Sequence, residues 1–331
     1  MIISRTPFRI SFFGGGTDYP QWYLENGGSV LATTINKYCY ISCRKLPPFF
    51  EYKHRIVYSK IENVKSVNEI IHPSVRATLE WSKINHGLEI HHDGDLPARS
   101  GLGSSSSFTV GLITALRALN GEMMSQYELA RSALHIEQKV IKENVGSQDQ
   151  ICAAYGGFNR INFLRSGEFT VNPIIVAPQR INELKSNLML FFTGFTRYAD
   201  EIAKSQIQNI KNRVKELNHM NSMVDEAIAI LSSPITTIDE FGKLLDDGWQ
   251  YKKRMSDQIT NENIDRIYDK AIKAGAIGGK LLGAGGGGFM LFYVTPKYRY
   301  KLKQSLQDLV HVDFDFENTG SKVVVYYPNG L

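Results

Sequence analysis

A chain of 331 residues exceeds what one hydrophobic core ordinarily serves, and 43% hydrophobic with 21% charged residues is the composition of a soluble globular protein, here of two domains. A formal charge of +5 carried by scattered basic residues argues against nucleic acid as the main partner and suits a small anionic ligand. Cys39, Cys43 and Cys152 lack metal-binding spacing and fit a reducing cytoplasm, while Arg5 and Arg9 interrupt the apolar start, so neither a signal peptide nor a membrane span is expected.

The N-terminus reads as a strand over residues 2–13 that ends in Gly14-Gly15-Gly16-Thr17-Asp18-Tyr19-Pro20. Three glycines after a strand mark a sharp turn or a backbone close to a ligand. Asp18 then either accepts hydrogen bonds from sugar hydroxyls or simply forms the turn. Strand-like segments follow at residues 29–35, 38–45 and 55–58, then a helix over 75–85 and a short strand over 88–92.

The next stretch is Pro97-Ala98-Arg99-Ser100-Gly101-Leu102-Gly103-Ser104-Ser105-Ser106-Ser107-Phe108. It cannot begin as regular structure, because proline fixes φ and glycine permits angles that side chains forbid. Yet it runs straight into Phe108, Leu112, Leu116 and Leu119 at helical spacing, with Asn120-Gly121 as a stop. A glycine loop opening a helix offers unpaired N–H groups and a positive dipole end to an anion, so it reads as a phosphate loop rather than a linker. It has neither the Gly-Lys-Ser/Thr of the Walker loop nor the glycine spacing of the dinucleotide fingerprint.

Ser125-Gln126-Tyr127-Glu128 has the form of a capping box for a helix bearing Leu129, Ala133, Ile136, Val140 and Ile141. Glu137 lies on that helix, where a glutamate is ordinarily solvated. Gly146-Ser147-Gln148-Asp149-Gln150 breaks the pattern ahead of residues 151–155 and a strand over 158–163. Asp149 is thereby near a helix N-terminus, where an acid is ordinarily held by the dipole alone. Beyond Pro178 come a strand over 188–193, a long amphipathic helix over 197–231 broken near its middle, and helices over 238–257 and 263–274. A glycine-rich run, residues 278–288, precedes a strand over 289–294; four consecutive glycines there favour a backbone close to a ligand over a plain hairpin. A helix over 298–310 and strands over 312–316 and 322–327 complete a C-terminal half in which helices cover one face of a mostly antiparallel sheet.

Taken together, the three glycine segments resemble the GHMP kinase superfamily, which includes galactokinase, homoserine kinase, mevalonate kinase and phosphomevalonate kinase. The matching residues are Pro7-Phe8-Arg9-Ile10 through Gly14-Gly15-Gly16-Thr17-Asp18-Tyr19, the Pro-x-x-x-Gly-Leu-Gly-Ser-Ser loop from Pro97 to Ser107, and Leu282-Gly283-Ala284-Gly285-Gly286-Gly287-Gly288-Phe289. They span nearly the whole chain. The Gly-Gly-Gly-Thr-Asp opening and the Gly-Gly-Lys-Leu-Leu-Gly-Ala-Gly-Gly-Gly-Gly-Phe segment are similar to the bacterial heptose 7-phosphate kinase and L-fucokinase branch, whereas galactokinases carry Gly-Glu-His-Thr-Asp at the first motif.

The resemblance implies an α+β two-domain GHMP kinase fold. Residues 1–180 would form an N-terminal domain like the second domain of ribosomal protein S5, and residues 181–331 a ferredoxin-like C-terminal domain. ATP would bind through Pro97, Ser100, Gly101, Leu102, Gly103, Ser104, Ser105 and Ser106, with Mg2+ held by Ser104 or Ser105 and by Glu137. Asp149 and Arg9 would be catalytic. Gly15, Thr17, Asp18, Gly285 and Gly286 would meet the sugar, while Arg197 and Lys280 either reach a substrate phosphate or are ordinary surface charges. Arg99 falls outside the general pattern. The implied activity is that of a cytoplasmic ATP-dependent sugar-1-kinase, converting D-glycero-D-manno-heptose 7-phosphate to the 1,7-bisphosphate on a GDP-heptose route to a capsule or other surface glycan. An unphosphorylated sugar such as L-fucose, or a silent sugar-and-ATP sensor, is the alternative. The partners implied are a sugar phosphate and ATP, with no nucleic acid or membrane and with a homodimer left open. The residue types suit that chemistry. Phosphoryl transfer needs positioning and charge neutralisation, a carboxylate takes the acceptor's proton, and hydroxyl and carboxylate oxygens are hard ligands for magnesium.

Overall fold

The computed structural model describes residues 1–194 and 199–328. Its first part contains β1 (Ile2–Phe13), α1 (Pro20–Asn26), β2 (Gly28–Lys45), β3 (His54–Val57), β4 (Ile61–Val64), α2 (Pro73–Trp81) and β5 (Leu88–Gly94). There follow α3 (Ser104–Leu119), α4 (Gln126–His135), α5 (Gln148–Tyr155), β6 (Phe158–Phe163) and β7 (Phe169–Pro173). The remainder holds α6 (Pro178–Asn187), β8 (Leu188–Phe192), α7 (Ala199–Asn209), α8 (Val214–Ser232), α9 (Asp239–Lys253), α10 (Glu262–Ala274), β9 (Ala276–Leu281), β10 (Phe289–Val294), α11 (Arg299–Ser305), β11 (Val310–Val312), β12 (Phe316–Glu317) and β13 (Lys322–Tyr326).

Two sheets organise the described residues. The larger has a path β13-β1-β2-β5-β3-β4, with β12 and β6 also paired to β2 and β7 to β6; the smaller runs β11-β8-β10-β9 and is antiparallel throughout. The sequence predicts two strands at 29–35 and 38–45, but β2 is continuous. Its register against β1 passes from Pro7 opposite Tyr38 to Phe8 opposite Ile35, so Asn36 and Lys37 are absorbed as a bulge. The predicted strand over 312–316 divides instead between two sheets, because β11 pairs with β8 and β12 pairs with β2. The last strand, β13, pairs with β1. The chain therefore returns to the first sheet after completing the second, and residues 181–331 do not remain with one sheet.

Helix α3 is the interior element. Val110, Leu112, Ile113, Ala115 and Leu116 are each at most 1% exposed, as expected of a helix that is apolar nearly all round. Packing fixes its axis, and thereby the direction in which its N-terminal N–H groups point. The smaller sheet is joined to the larger by aromatic rings. Phe241 of α9 meets Phe12 and Phe13 at the end of β1 edge-on, with ring centroids 5.4 and 5.1 Å apart, the arrangement that the ring quadrupole favours. The other end of α9 reaches the third glycine segment through Lys252, which donates to the carbonyl of Gly283.

Candidate active site

The site grows from one strand. Residues of β1 alternate, so Arg9 and Ser11 share the face that lines the cavity while Ile10 and Phe12 enter the core. Arg9 donates from Nε and Nη2 to the two carboxylate oxygens of Asp149, at 2.7 and 2.8 Å, and from Nη1 to the carbonyl of Gly101 at 2.6 Å. Its backbone N–H donates to the carbonyl of Leu102. One side chain thus ties β1, the phosphate loop and the first turn of α5. Burial opposes the guanidinium charge, but Asp149 offsets that and holds its pKa above the ordinary value. The Asp149 side chain keeps 26% of its surface open against 5% for Arg9, so it is the member of the pair that a ligand can touch.

The phosphate loop closes on this pair. Gly103 caps α3 in the left-handed region at φ 76°, and a Cβ there would lie 3.2 Å from Cγ of Arg9 and 3.4 Å from Oδ2 of Asp149. Gly101, Gly103, Ser104, Ser105 and Ser106 line the cavity. Pro97, Ser100 and Leu102 shape the loop from outside it: Pro97 is exposed, and Ser100 and Leu102 are buried and bonded through their backbones to β10 and Arg9. The Ser104 hydroxyl accepts from the backbone of Arg99 at 3.0 Å. Ser105 is exposed.

Glu137, ordinarily a solvated helix position on its own segment but a metal ligand by the resemblance, is 0% exposed. The reason is local: α4 widens into a π-helical turn over Ile136–Ile141, which turns Glu137 inward. Its Oε2 accepts from Ser106 at 2.8 Å and from Nε2 of Gln150 at 2.5 Å, while Oε1 has no hydrogen-bond partner among the described residues. Burial, with repulsion from Glu143, pushes the carboxyl up to about 7. The serine hydroxyl bonded to Glu137 is that of Ser106, next in the chain to Ser104 and Ser105, which the resemblance implies for the metal. A buried carboxylate with one vacant oxygen next to serine hydroxyls is a donor set that fits a hard cation such as Mg2+.

The first glycine turn builds the opposite wall. Gly15, Gly16 and Asp18 line the cavity, and Asp18 accepts from the backbone of Gly16 at 2.9 Å and of Gln148 at 3.4 Å. Burial raises its pKa. Gly146 leaves room for it, because a Cβ there would fall 1.9 Å from Oδ2 of Asp18. Thr17 takes another role than sugar contact: its hydroxyl donates to the carbonyls of Gly14 and Ser29 and locks the turn.

The third glycine segment acts as a clasp. A Cβ on Gly283 would meet Cα of Gly101 at 2.5 Å, and one on Gly288 the carbonyl of Ser100 at 2.2 Å. Glycine is needed there because two backbones touch. Gly283 and Ala284 line the cavity, whereas Gly285 and Gly286 lie against Ile259, Gly286 donating to its carbonyl at 2.9 Å. Lys280, from β9, lines the cavity and is buried, donating to the carbonyl of Phe12 at 2.6 Å, so it is no surface charge. Arg197 lies outside the described residues. The cavity residues that the sequence reading does not single out include Ser11, Gln148 and Lys252. Ser11 was legible, being two residues from Arg9 on the same strand face. The hydroxyl of Ser11 and Oε1 of Gln148 are buried without partners among the described residues, available to a polar ligand. Lys252, inside a charged helix end, carried no signal.

Family models for the GHMP kinases match both halves of the chain, the N-terminal domain over residues 67–157 and the C-terminal region over residues 224–310. The chain belongs to the GHMP kinases, phosphotransferases with a hydroxyl acceptor. Among curated relatives, it is 32% identical to the D-glycero-alpha-D-manno-heptose 7-phosphate kinase of Campylobacter jejuni, over 97% of this chain and 98% of that protein. It is 27% identical to the bifunctional fucokinase/GDP-fucose pyrophosphorylase of Arabidopsis thaliana, over 93% of this chain but 31% of that protein. The crystal structure of a D-glycero-D-manno-heptose 1-phosphate kinase from Bacteroides thetaiotaomicron has the same fold, with a TM-score of 0.80 over 99% of this chain and 100% of that chain at 24% identity. No helix among the described residues is long and apolar enough to cross a membrane.

Proposed function

We propose that this kinase transfers the γ-phosphoryl group of ATP to the anomeric hydroxyl of a heptose 7-phosphate, D-glycero-D-manno-heptose 7-phosphate, giving the 1,7-bisphosphate and ADP. The observation that carries the reading is the Arg9–Asp149 pair seated against Gly103. It brings a carboxylate and a fixed cation to the N-terminus of the helix where phosphates are best received. In the reaction, Asp149 takes the proton of the acceptor hydroxyl as that oxygen attacks the γ-phosphorus, and the bond to the bridging oxygen breaks to release ADP. Arg9 holds the carboxylate in place and offsets negative charge on the transferred group. The N–H groups at the start of α3 receive the donor phosphates, and Asp18, Ser11 and Gln148 orient the sugar hydroxyls. Glu137 with Ser105 or Ser106 would hold Mg2+, which supplies charge neutralisation across the donor phosphates. The Campylobacter relative supports the choice of acceptor.

The test is ADP release with ATP, magnesium and a panel of sugars: the heptose with and without its 7-phosphate, L-fucose and D-galactose. Fastest kcat/KM for the phosphorylated heptose is expected. Faster turnover of fucose would move the assignment to an unphosphorylated sugar, and no turnover with any sugar would leave a binding protein.

A further inference from the structure

Lys252 of α9 and Lys280 of β9 line the same cavity as Asp149. Both are more than nine-tenths buried. Lys252 donates to the carbonyls of Leu281 and Gly283, at 3.0 and 2.5 Å, and Lys280 to the carbonyl of Phe12. Among the described residues neither has a carboxylate within salt-bridge distance, whereas Arg9 is matched by Asp149. Each ammonium has three donors, so Lys252 has one left and Lys280 two. A buried charge is ordinarily paired, and two ammonium groups that repel each other are costly to hold together. Burial and mutual repulsion lower the pKa of Lys280, and burial with repulsion from Arg9 lowers that of Lys252. A fold that retains such a pair inside its ligand cavity calls for an anion delivered by the ligand. The donor phosphates already have the start of α3, so the unmatched charge belongs to the acceptor.

We infer that Lys252 and Lys280 together form a subsite for the phosphate the acceptor sugar carries before the reaction, and so select a phosphosugar over the free sugar. This rests on the proposed kinase reading. The two lysines differ from Asp149 in what they do: they bind a charge on the acceptor rather than take its proton.

The test compares wild type, Lys252→Met and Lys280→Met with the heptose 7-phosphate and with the same heptose lacking its phosphate. Methionine keeps the chain length and removes the buried charge, and an unfolding curve verifies that each variant folds. The expected result at saturating ATP is a KM for the phosphorylated sugar higher by roughly 10- to 100-fold, the range of a lost charge-assisted contact, with kcat within about threefold and a much smaller change in KM for the free sugar. An equal fall in kcat for both sugars would overturn the inference, because the lysines would then be acting on the transferred group. If wild type turns over no sugar, the kinase reading falls and the lysines are judged by calorimetry with inorganic phosphate in the absence of ATP. Binding by wild type that is lost in Lys252→Met upholds the anion site, while equal binding, or none by either, overturns it.

Discussion

Arg9 cannot lose its carboxylate cheaply, because it is buried with its charge. Replacing Asp149 by Asn removes the proton acceptor and is expected to lower kcat by roughly 10²–10⁴, about 3–5 kcal/mol of barrier, with the KM for ATP little changed. Stability should fall as well, since the guanidinium is left facing a neutral amide. Turnover within tenfold of wild type would return catalysis to positioning alone. Glu137→Gln tests the cation. A magnesium titration of activity is expected to shift to higher concentration, and an unchanged titration curve would remove Glu137 from the metal. Lys252 sets a pH dependence. Burial first, then Arg9, lower its pKa to about 7, Asp18 opposes them, and Lys280 repels it from β9. Between about pH 7 and 10.5 the folded state therefore holds fewer protons than the unfolded chain, so the destabilisation by this group is greatest below pH 7 and fades as pH rises. Lys252→Met should accordingly gain more in melting temperature over wild type at pH 6 than at pH 9. A gain independent of pH would mean that the ammonium is not the cause.

At the scale of elements, the third glycine loop serves the phosphate loop by contact between backbones. Gly283 has φ 76° and touches Gly101. Alanine there would carry about 1–3 kcal/mol of backbone strain in addition to the collision. The expected outcome for Gly283→Ala is a raised KM for ATP, with far-UV circular dichroism unchanged, because the clasp is displaced while both sheets persist. An unaltered KM for ATP would show that the loop accommodates a side chain and that the clasp is not required. Similar logic explains β9, which the sequence hid inside a glycine-rich run. A Cβ on Gly278 would lie 2.1 Å from the carbonyl of Gly242 in α9, so the strand needs glycine where the helix presses on it.

At the scale of the molecule, the cavity exists because the two sheets are held together, and Phe241 is one of the rings at that joint. Phe241→Ala should cost about 3–5 kcal/mol, read as a lower denaturation midpoint with an unchanged slope. A midpoint equal to that of wild type would place the joint between the sheets elsewhere.

What the sequence determined by itself was local. Strand β1, the loop opening α3, the capping box at Ser125 and the α5 start at Asp149 could be read because each depends on neighbours within a few residues: proline, glycine, hydroxyls and apolar spacing. The three glycine motifs, taken together, carried the resemblance to the GHMP kinases, and Arg9 and Asp149 followed from it. Only the tertiary structure decided which glycines face the cavity and which face another backbone, that Ser106 and not its neighbours bonds Glu137, and that Glu137 is buried at all. It also decided that Lys252 enters the site and that the last strands return to the first sheet. Each of these turns on residues far apart in the chain meeting in space, such as Gly283 with Gly101 or Lys280 with Phe12. Periodicity and propensity report a segment's own surface, and they carry no information about which distant surface will cover it.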